Sequence, residues 1–209
     1  MNKKKLAFFW ETIWSWLKVP TVYRIFRAFT DCNMQEMFVR EHLRPKKGMR
    51  ILDIGCGTAD VLKILPQVRY VGFDINQEYI RAAQKNYRDR GIFLVRKIEH
   101  MKEAPYKPYD LVLAKGLIHH LPDAAVNHLL HFAHNALRPG GRFVALDGVF
   151  TPQQGFWARY FVSRDRGRFV RNFKDHKNLY SNIFPSTQFF IYENLLRFPY
   201  TLLATESTK

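Results

Sequence analysis

Apolar residues along this 209-residue chain follow two rhythms. Between residues 6 and 18, Leu6, Phe9, Trp10, Ile13, Trp14 and Leu17 recur at helical spacing, with Glu11, Ser15 and Lys18 elsewhere on the helix. Pro20 marks a boundary, and residues 23–29 and 34–43 predict two further helical pieces. From Arg50 the rhythm changes. Short apolar runs at 50–54, 70–73, 92–96, 111–114 and 142–146 read as buried strands. Helical patterns separate them: residues 59–65, 77–88 and 123–137, the last stopped by Pro139, Gly140 and Gly141. Two final strands are expected at 188–192 and 200–205, beyond a basic, helix-prone stretch at 151–186. Apolar strands alternating with helices predict an α/β fold with a parallel sheet covered on both faces.

The first strand breaks into a glycine-bracketed turn: Asp53, Ile54, Gly55, Cys56, Gly57, Thr58, Ala59, Asp60. Such a turn brings backbone N–H groups to a ligand, and Gly55 and Gly57 let the main chain approach without a Cβ in the way. A dinucleotide fingerprint needs a third glycine three residues later, where this chain has Asp60, whose charge opposes a pyrophosphate. The Gly-Lys-Ser/Thr of a phosphate-binding loop is absent as well. A cofactor with ribose and adenine but no phosphate fits better. Asp74, at the end of the second strand and 17 residues after Gly57, suits both ribose hydroxyls, and could equally cap the helix at 77–88.

The run from Asp53 to Thr58 resembles the first motif of class I S-adenosylmethionine-dependent methyltransferases, strongly over residues 48–150 and elsewhere by architecture. The resemblance implies a doubly wound, mostly parallel, Rossmann-like sheet of seven strands, ordered 3-2-1-4-5-7-6 with the seventh antiparallel. It divides one domain into an N-terminal helical cap (1–48), a cofactor-binding core (49–150), a basic substrate-cap insertion (151–186) and the last two strands (187–209). It also implies that Asp53, Gly55, Cys56, Gly57, Thr58, Asp74, Ile75, Ile98 and Lys115 line the S-adenosylmethionine site. Ile75 and Ile98 would pack on adenine. Lys97 occupies the place of the acid that often meets the adenine amino group, and Glu99 is the substitute.

After the fourth strand, residues 114–121 contain His119 and His120, as similar loops do in methyltransferases of small molecules. Histidine titrates in the range needed to deprotonate a hydroxyl or amine. Adjacent loop residues rarely point the same way, so His120 is expected to be the base and His119 to face the sheet. Asp147, at the end of strand five, would orient the acceptor or a histidine, or cap the following turn. His128, His131 and His134 lack an accompanying carboxylate or cysteine cluster and read as surface residues, so no metal is expected. The expected reaction is methyl transfer to O or N of a small or medium-sized acceptor, leaving S-adenosylhomocysteine.

Charge adds one thing. Of the net +15, residues 1–50 carry +7, residues 51–150 carry +3 and residues 151–209 carry +5. The excess lies outside the core, which suits an anionic acceptor, RNA or an anionic membrane surface. Arg159, Arg164, Asp165, Arg166, Arg168 and Arg171, with Tyr160, Phe161, Phe169 and Tyr180, would shape the acceptor pocket. Residues 6–18 form either a lid over the cofactor or a membrane-surface helix. Three alternatives therefore stand beside the small-molecule enzyme: an RNA methyltransferase, a membrane-surface enzyme acting on a lipid-like acceptor, and a non-catalytic cofactor-binding protein. Cys32 and Cys56 make no disulfide framework, and no apolar run approaches ~20 residues, so a cytoplasmic protein with peripheral membrane contact at most is expected.

Overall fold

The computed structural model describes residues 34–165 and 167–209. The expected helical stretches at 6–18 and 23–29 lie outside the described residues. The first described helix, α1 (Met34–Met37), continues into a π-helical segment, Phe38–Leu43, which ends at Arg44 in the left-handed conformation. Then come β1 (Arg50–Ile54), β2 (Arg69–Asp74), α2 (Gln77–Tyr87), β3 (Gly91–Val95), β4 (Tyr109–Lys115), α3 (Asp123–Ala136) and β5 (Leu137–Gly148). The chain finishes with α4 (Phe156–Ser163), α5 (Phe173–Ser181), β6 (Gln188–Tyr192) and β7 (Leu202–Thr208). The seven strands form one sheet in the order β3-β2-β1-β4-β5-β7-β6. Strand β7 runs antiparallel to β5 and β6, and the other pairings are parallel.

Alternation along the strands builds two apolar layers. Leu52, Ile54, Val112, Ala114, Phe143 and Ala145 face α3 and α5, where Leu129, Ala133, Tyr180 and Phe184 cover them. Ile51, Leu111, Leu113, Val144 and Leu146 face the other way, against Phe38, Leu43, Leu62 and Ile80. Helices on both faces explain why the central strands read as continuous apolar runs.

Three expectations need correction. No α-helix runs from 59 to 65; a single 3₁₀ turn, Asp60–Lys63, stands there. Ala59 adopts the left-handed conformation (φ 54°), and Pro66 disfavours helix at the residue before it. The Asp60 carboxylate draws the turn tight by accepting from the Thr58 hydroxyl (2.7 Å) and the Tyr87 hydroxyl (2.9 Å). Next, α3 ends at Ala136, before the Pro139-Gly140-Gly141 stop, and β5 begins at once. Proline disfavours helix at Arg138, and the register shift between Tyr109↔Leu137 and Leu111↔Arg142 takes up the proline and glycines. Lastly, β7 extends through polar Glu206, Ser207 and Thr208, because each pairs with β5. The buried Ser207 hydroxyl lies 2.8 Å from that of Thr187.

Glu206 fastens α1 to the sheet. Its carboxylate, 8% exposed, sits 2.8 Å from His42 Nδ1 and 3.3 Å from Arg142 and also bonds Arg44. Arg142 in turn donates to the carbonyls of His42 (2.8 Å) and Leu43 (2.5 Å), which close the π-helical segment. Removing one side of a mostly buried ionic cluster leaves the other side uncompensated. Glu206→Ala should therefore cost about 3 kcal/mol of unfolding free energy, read from the urea midpoint at unchanged slope. A loss under about 0.5 kcal/mol, the size of an ordinary surface substitution, would show that the cluster does not hold α1 to the sheet.

Candidate functional site

The site lies at the carboxyl ends of the parallel strands, where open α/β sheets bind ligands. The β1 loop is folded by its glycines: Gly55 and Gly57 have φ of 73° and 55°, which side chains with a Cβ rarely tolerate. The Phe73 carbonyl accepts from both Gly55 N–H (2.8 Å) and Cys56 N–H (3.0 Å). One oxygen of Asp74 accepts from Gly57 N–H (3.0 Å) and the other from Asn76 N–H (2.8 Å). Burial pushes the Asp74 carboxyl up from its ordinary value, although the backbone bonds from Asn76, Gly57 and Ile75 oppose that. Asp74 does not cap α2; the Asn76 side chain does, accepting from Glu78 and Tyr79 N–H.

Asp53 is buried and accepts the Tyr70 hydroxyl at 2.5 Å, fixing β1 to β2 from beneath the loop. Burial, and then the negative charges of Asp53 and Asp74, push the Cys56 thiol well up, so it is no thiolate nucleophile at neutral pH. Thr58 is buried and spends its hydroxyl on Asp60. Lys115 reaches back over the loop to Gln35 of α1 (3.3 Å), and Gln35 donates to the Asp60 carbonyl (3.1 Å). Gln35, Asp53, Gly55, Cys56, Gly57, Thr58, Asp60 and Lys115 thus line one concavity. Ile75 stands 65% exposed beside it, while Ile98 is buried in the core, and Glu99 pairs with Lys97 (3.2 Å).

The second half of the site is the loop after β4, a 3₁₀ turn, Ile118–His120. It is indexed to the glycine loop, since a Cβ on Gly55 would stand 3.1 Å from the Leu117 side chain. His119 is buried and faces β5, with Nδ1 2.7 Å from Asp147 Oδ1, which also accepts the His119 N–H at 3.2 Å. Asp147 is therefore spent on a histidine. His120 is exposed, and its Nε2 lies 3.1 Å from His119 Nε2.

Several members of this cluster were not expected from the sequence. Asp165 Oδ1 comes within 3.4 Å of His119 Nε2, and its other oxygen accepts the Tyr200 hydroxyl at 2.6 Å. His176 of α5 is 1% exposed, and neither ring nitrogen has a hydrogen-bond partner among the described residues. Burial drops it to about 4, so it is neutral at physiological pH. Arg171, expected to meet the acceptor, is instead buried. It binds Asp123 twice (2.8 and 2.6 Å) and donates to the carbonyls of Ile118, Leu121 and Phe169. Arg159 and Arg164 stack on Phe150 and Tyr160, 5.4 and 5.6 Å from the ring centres. His128 of α3 donates its Nε2–H to the Met101 carbonyl (3.0 Å), and no group of metal ligands occurs among the described residues.

The site residues present suit an adenosyl group: two glycines without Cβ, a carboxylate with acceptor capacity to spare, and an exposed Ile75 side chain adjoining it. Comparison with known proteins agrees. Residues 45–186 match the family model described as "Methyltransferase domain". The chain is 32% identical over 117 residues to 27-O-demethylrifamycin SV methyltransferase of Amycolatopsis mediterranei, covering 51% of this chain and 41% of that protein. It is 34% identical over 100 residues to trans-aconitate 2-methyltransferase of Azoarcus sp., covering 44% and 36%. The chain thus spans about two fifths of the length of these curated relatives. Among solved structures, phosphoethanolamine N-methyltransferase 2 of Haemonchus contortus with S-adenosyl-L-methionine superposes with a TM-score of 0.68 at 14% identity, covering 85% of this chain and 52% of that one. An S-adenosylmethionine-dependent methyltransferase from Methanosarcina mazei gives 0.61 at 15% identity, covering 80% and 95%. Fold, strand-end loops and family model coincide: the chain belongs to the methyltransferase-domain family and has the class I fold of S-adenosylmethionine-dependent methyltransferases.

Proposed function

We propose that the chain transfers a methyl group from S-adenosylmethionine to a hydroxyl or amine of a small acceptor. The observation that carries this reading is the contact between the two strand-end loops. The glycine loop and the His119–His120 loop meet at Leu117, so a group seated on one is presented to the other. The small-molecule acceptors named for the relatives support the acceptor class, and the exposed Arg159 and Arg168 on the insertion favour one that carries negative charge.

Asp74 accepts from Gly57 and Asn76 N–H, one on each oxygen, with Ile75 N–H as a third donor, and its remaining acceptor capacity is what a ribose hydroxyl would use. Ile75 would cover the adenine, and the glycine-loop backbone would hold the methionine part. When bound, the cofactor supplies an electrophilic methyl on a sulfonium, and the chain's task is to position the acceptor and take its proton. His119 Nδ1 stands 2.7 Å from Asp147 Oδ1, and its Nε2 can accept from His120 Nε2–H. That leaves His120 Nδ1 as the lone pair for the proton of the acceptor. His120 would take the proton of the acceptor, whose O or N would bond the methyl carbon as the methyl–sulfur bond breaks, its electron pair leaving on the sulfur of S-adenosylhomocysteine. Asp147 Oδ1 accepts the His119 backbone N–H and stands 2.7 Å from its Nδ1, and so sets the orientation of the pair.

A membrane-surface version of this reading has one observation behind it. Phe156 and Trp157, at the start of α4, are 75% and 61% exposed, and Arg159 follows them. No helix among the described residues is long and apolar enough to cross a membrane. If this face meets lipid, replacing both aromatics with serine should cut co-sedimentation with phosphatidylglycerol vesicles several-fold. Equal sedimentation of mutant and wild type would dismiss it.

Two further measurements test the main reading. Asp74→Asn should weaken S-adenosylmethionine affinity roughly ten- to hundredfold by calorimetry, the loss of ~1.5–3 kcal/mol of charge-assisted bonding. Because burial raises the Asp74 carboxyl, wild-type affinity should begin to fall at a higher pH than an ordinary carboxylate would dictate, as the acid protonates and stops accepting. That acid limb should be missing in Asp74→Asn, and wild-type affinity in this variant would remove Asp74 from the site. His120→Ala should lower turnover by ~10²–10⁴ and leave cofactor affinity nearly unchanged. Full activity would mean that the acceptor needs no base from this loop.

A further inference from the structure

Residues 163–168 read Ser163, Arg164, Asp165, Arg166, Gly167, Arg168: one acid among three arginines. Such an acid is expected to form exposed local ion pairs. Asp165 instead turns inward. One carboxylate oxygen accepts from Gly167 N–H (2.8 Å) and lies 3.4 Å from His119 Nε2; the other accepts from Tyr200 Oη (2.6 Å). Burial tends to raise its carboxyl, but the charge of His119, the Tyr200 and Gly167 bonds and the charge of His120 together hold it below the ordinary value. The residues that follow are fitted to the same loop. A methyl group on Gly167 would stand 2.2 Å from His119 Cδ2 and 2.6 Å from the His119 carbonyl oxygen, and Phe169 N–H donates to that oxygen at 3.0 Å. The insertion is built around His119.

We propose that Asp165 is a positioning residue of the transfer site: it stands across His119 from Asp147, and the two carboxylates together stabilise the positive charge that the His119–His120 pair gains with the proton of the acceptor. This rests on the methyl-transfer reading above. The groups around the pair set the sign. Asp147 faces it from β5, and Asp165 from the turn after α4. His176 of α5 is neutral, and Arg171 is committed to Asp123 and three carbonyls. Tyr200 stays a neutral donor, since burial and Asp165 push its ionisation far up. Two negative charges therefore act on one imidazole pair. A neighbouring opposite charge within ~4–6 Å raises the proton affinity of a base by roughly one to three pH units.

The test needs no acceptor. Imidazole resonances of the ¹⁵N-labelled full chain would be assigned with His119→Gln and His120→Gln and followed against pH. Asp165→Asn keeps the size of the side chain and removes its charge. The protonation midpoint of the pair should fall by about one unit or more, Asp165→Glu should restore it, and S-adenosylmethionine affinity should stay within about twofold of wild type. If Asp165→Asn does not fold, Asp165→Ser carries the same test, because its hydroxyl can still accept the Gly167 N–H. A midpoint unmoved in a folded, cofactor-binding variant overturns the role of Asp165. A wild type that binds no S-adenosylmethionine sinks the methyl-transfer reading instead, and the titration tells these failures apart.

Discussion

One hydrogen-bonded clamp governs the functional end of this molecule: the Phe73 carbonyl takes two N–H groups from the β1 loop, and the Asp74 side chain takes a third. The loop is thereby bound to β2 as tightly as the strands are to each other. Because all three donors are main-chain groups, the geometry does not depend on side-chain identity within the loop. It depends on the left-handed conformations at positions 55 and 57, which glycine adopts freely. The same clamp sets the position of Leu117 against Gly55 and hence of the histidine loop. A shift of β1 against β2 would move both halves of the site together.

The histidine loop is held from above by quite different means. Arg171 serves the Ile118 carbonyl, which also accepts the Leu121 N–H that closes the 3₁₀ turn, and the Leu121 carbonyl beyond it, and Phe169 N–H serves that of His119. Burying a guanidinium is costly unless it is fully bonded, and here Asp123 supplies the countercharge. Residues 164–171 thus act as a strap whose basic side chains are partly used up in structure. The positive charge of the insertion, read from the sequence alone, overstates what it offers a ligand.

The strand-end positions of Asp53, Asp74, Lys115 and Asp147 were legible because apolar runs and their breaks report burial directly, whereas the sheet order came from the family resemblance and not from the apolar pattern. The turn at 60–63 was not, since the propensity of residues 59–65 says nothing of Ala59 in a left-handed state or of Asp60 bonding Thr58 and Tyr87. Nor was the polar end of β7, where pairing with β5 and β6 outweighs side-chain character. On the site, His119 and Asp147 were identified singly, and the orientation expected of His119 agrees with its burial. Asp165 was named only as one member of the basic insertion and Tyr200 only as the start of a strand, and their meeting with each other and with His119 was missed because neither position points to the other along the chain. The residue that betrayed the strap is Gly167, which no turn pattern required.

The two halves of the site also differ in how far along the chain their contacts reach. The glycine loop is fixed by pairs 17 residues apart, Asp53 with Tyr70 and Gly57 with Asp74, all between the start of β1 and the end of β2. The histidine loop is fixed by pairs 28 to 53 residues apart, and Asp165 finds Tyr200 35 residues further on, just before the last strand. Loop closure grows costlier only slowly with length, so the distant contacts are not weak for being distant. They do require α4, α5 and β7 to be docked before His119 has both carboxylates. The contacts of the glycine loop are thus local, whereas those of the histidine loop draw together β5, the turn after α4 and Tyr200, just before the last strand.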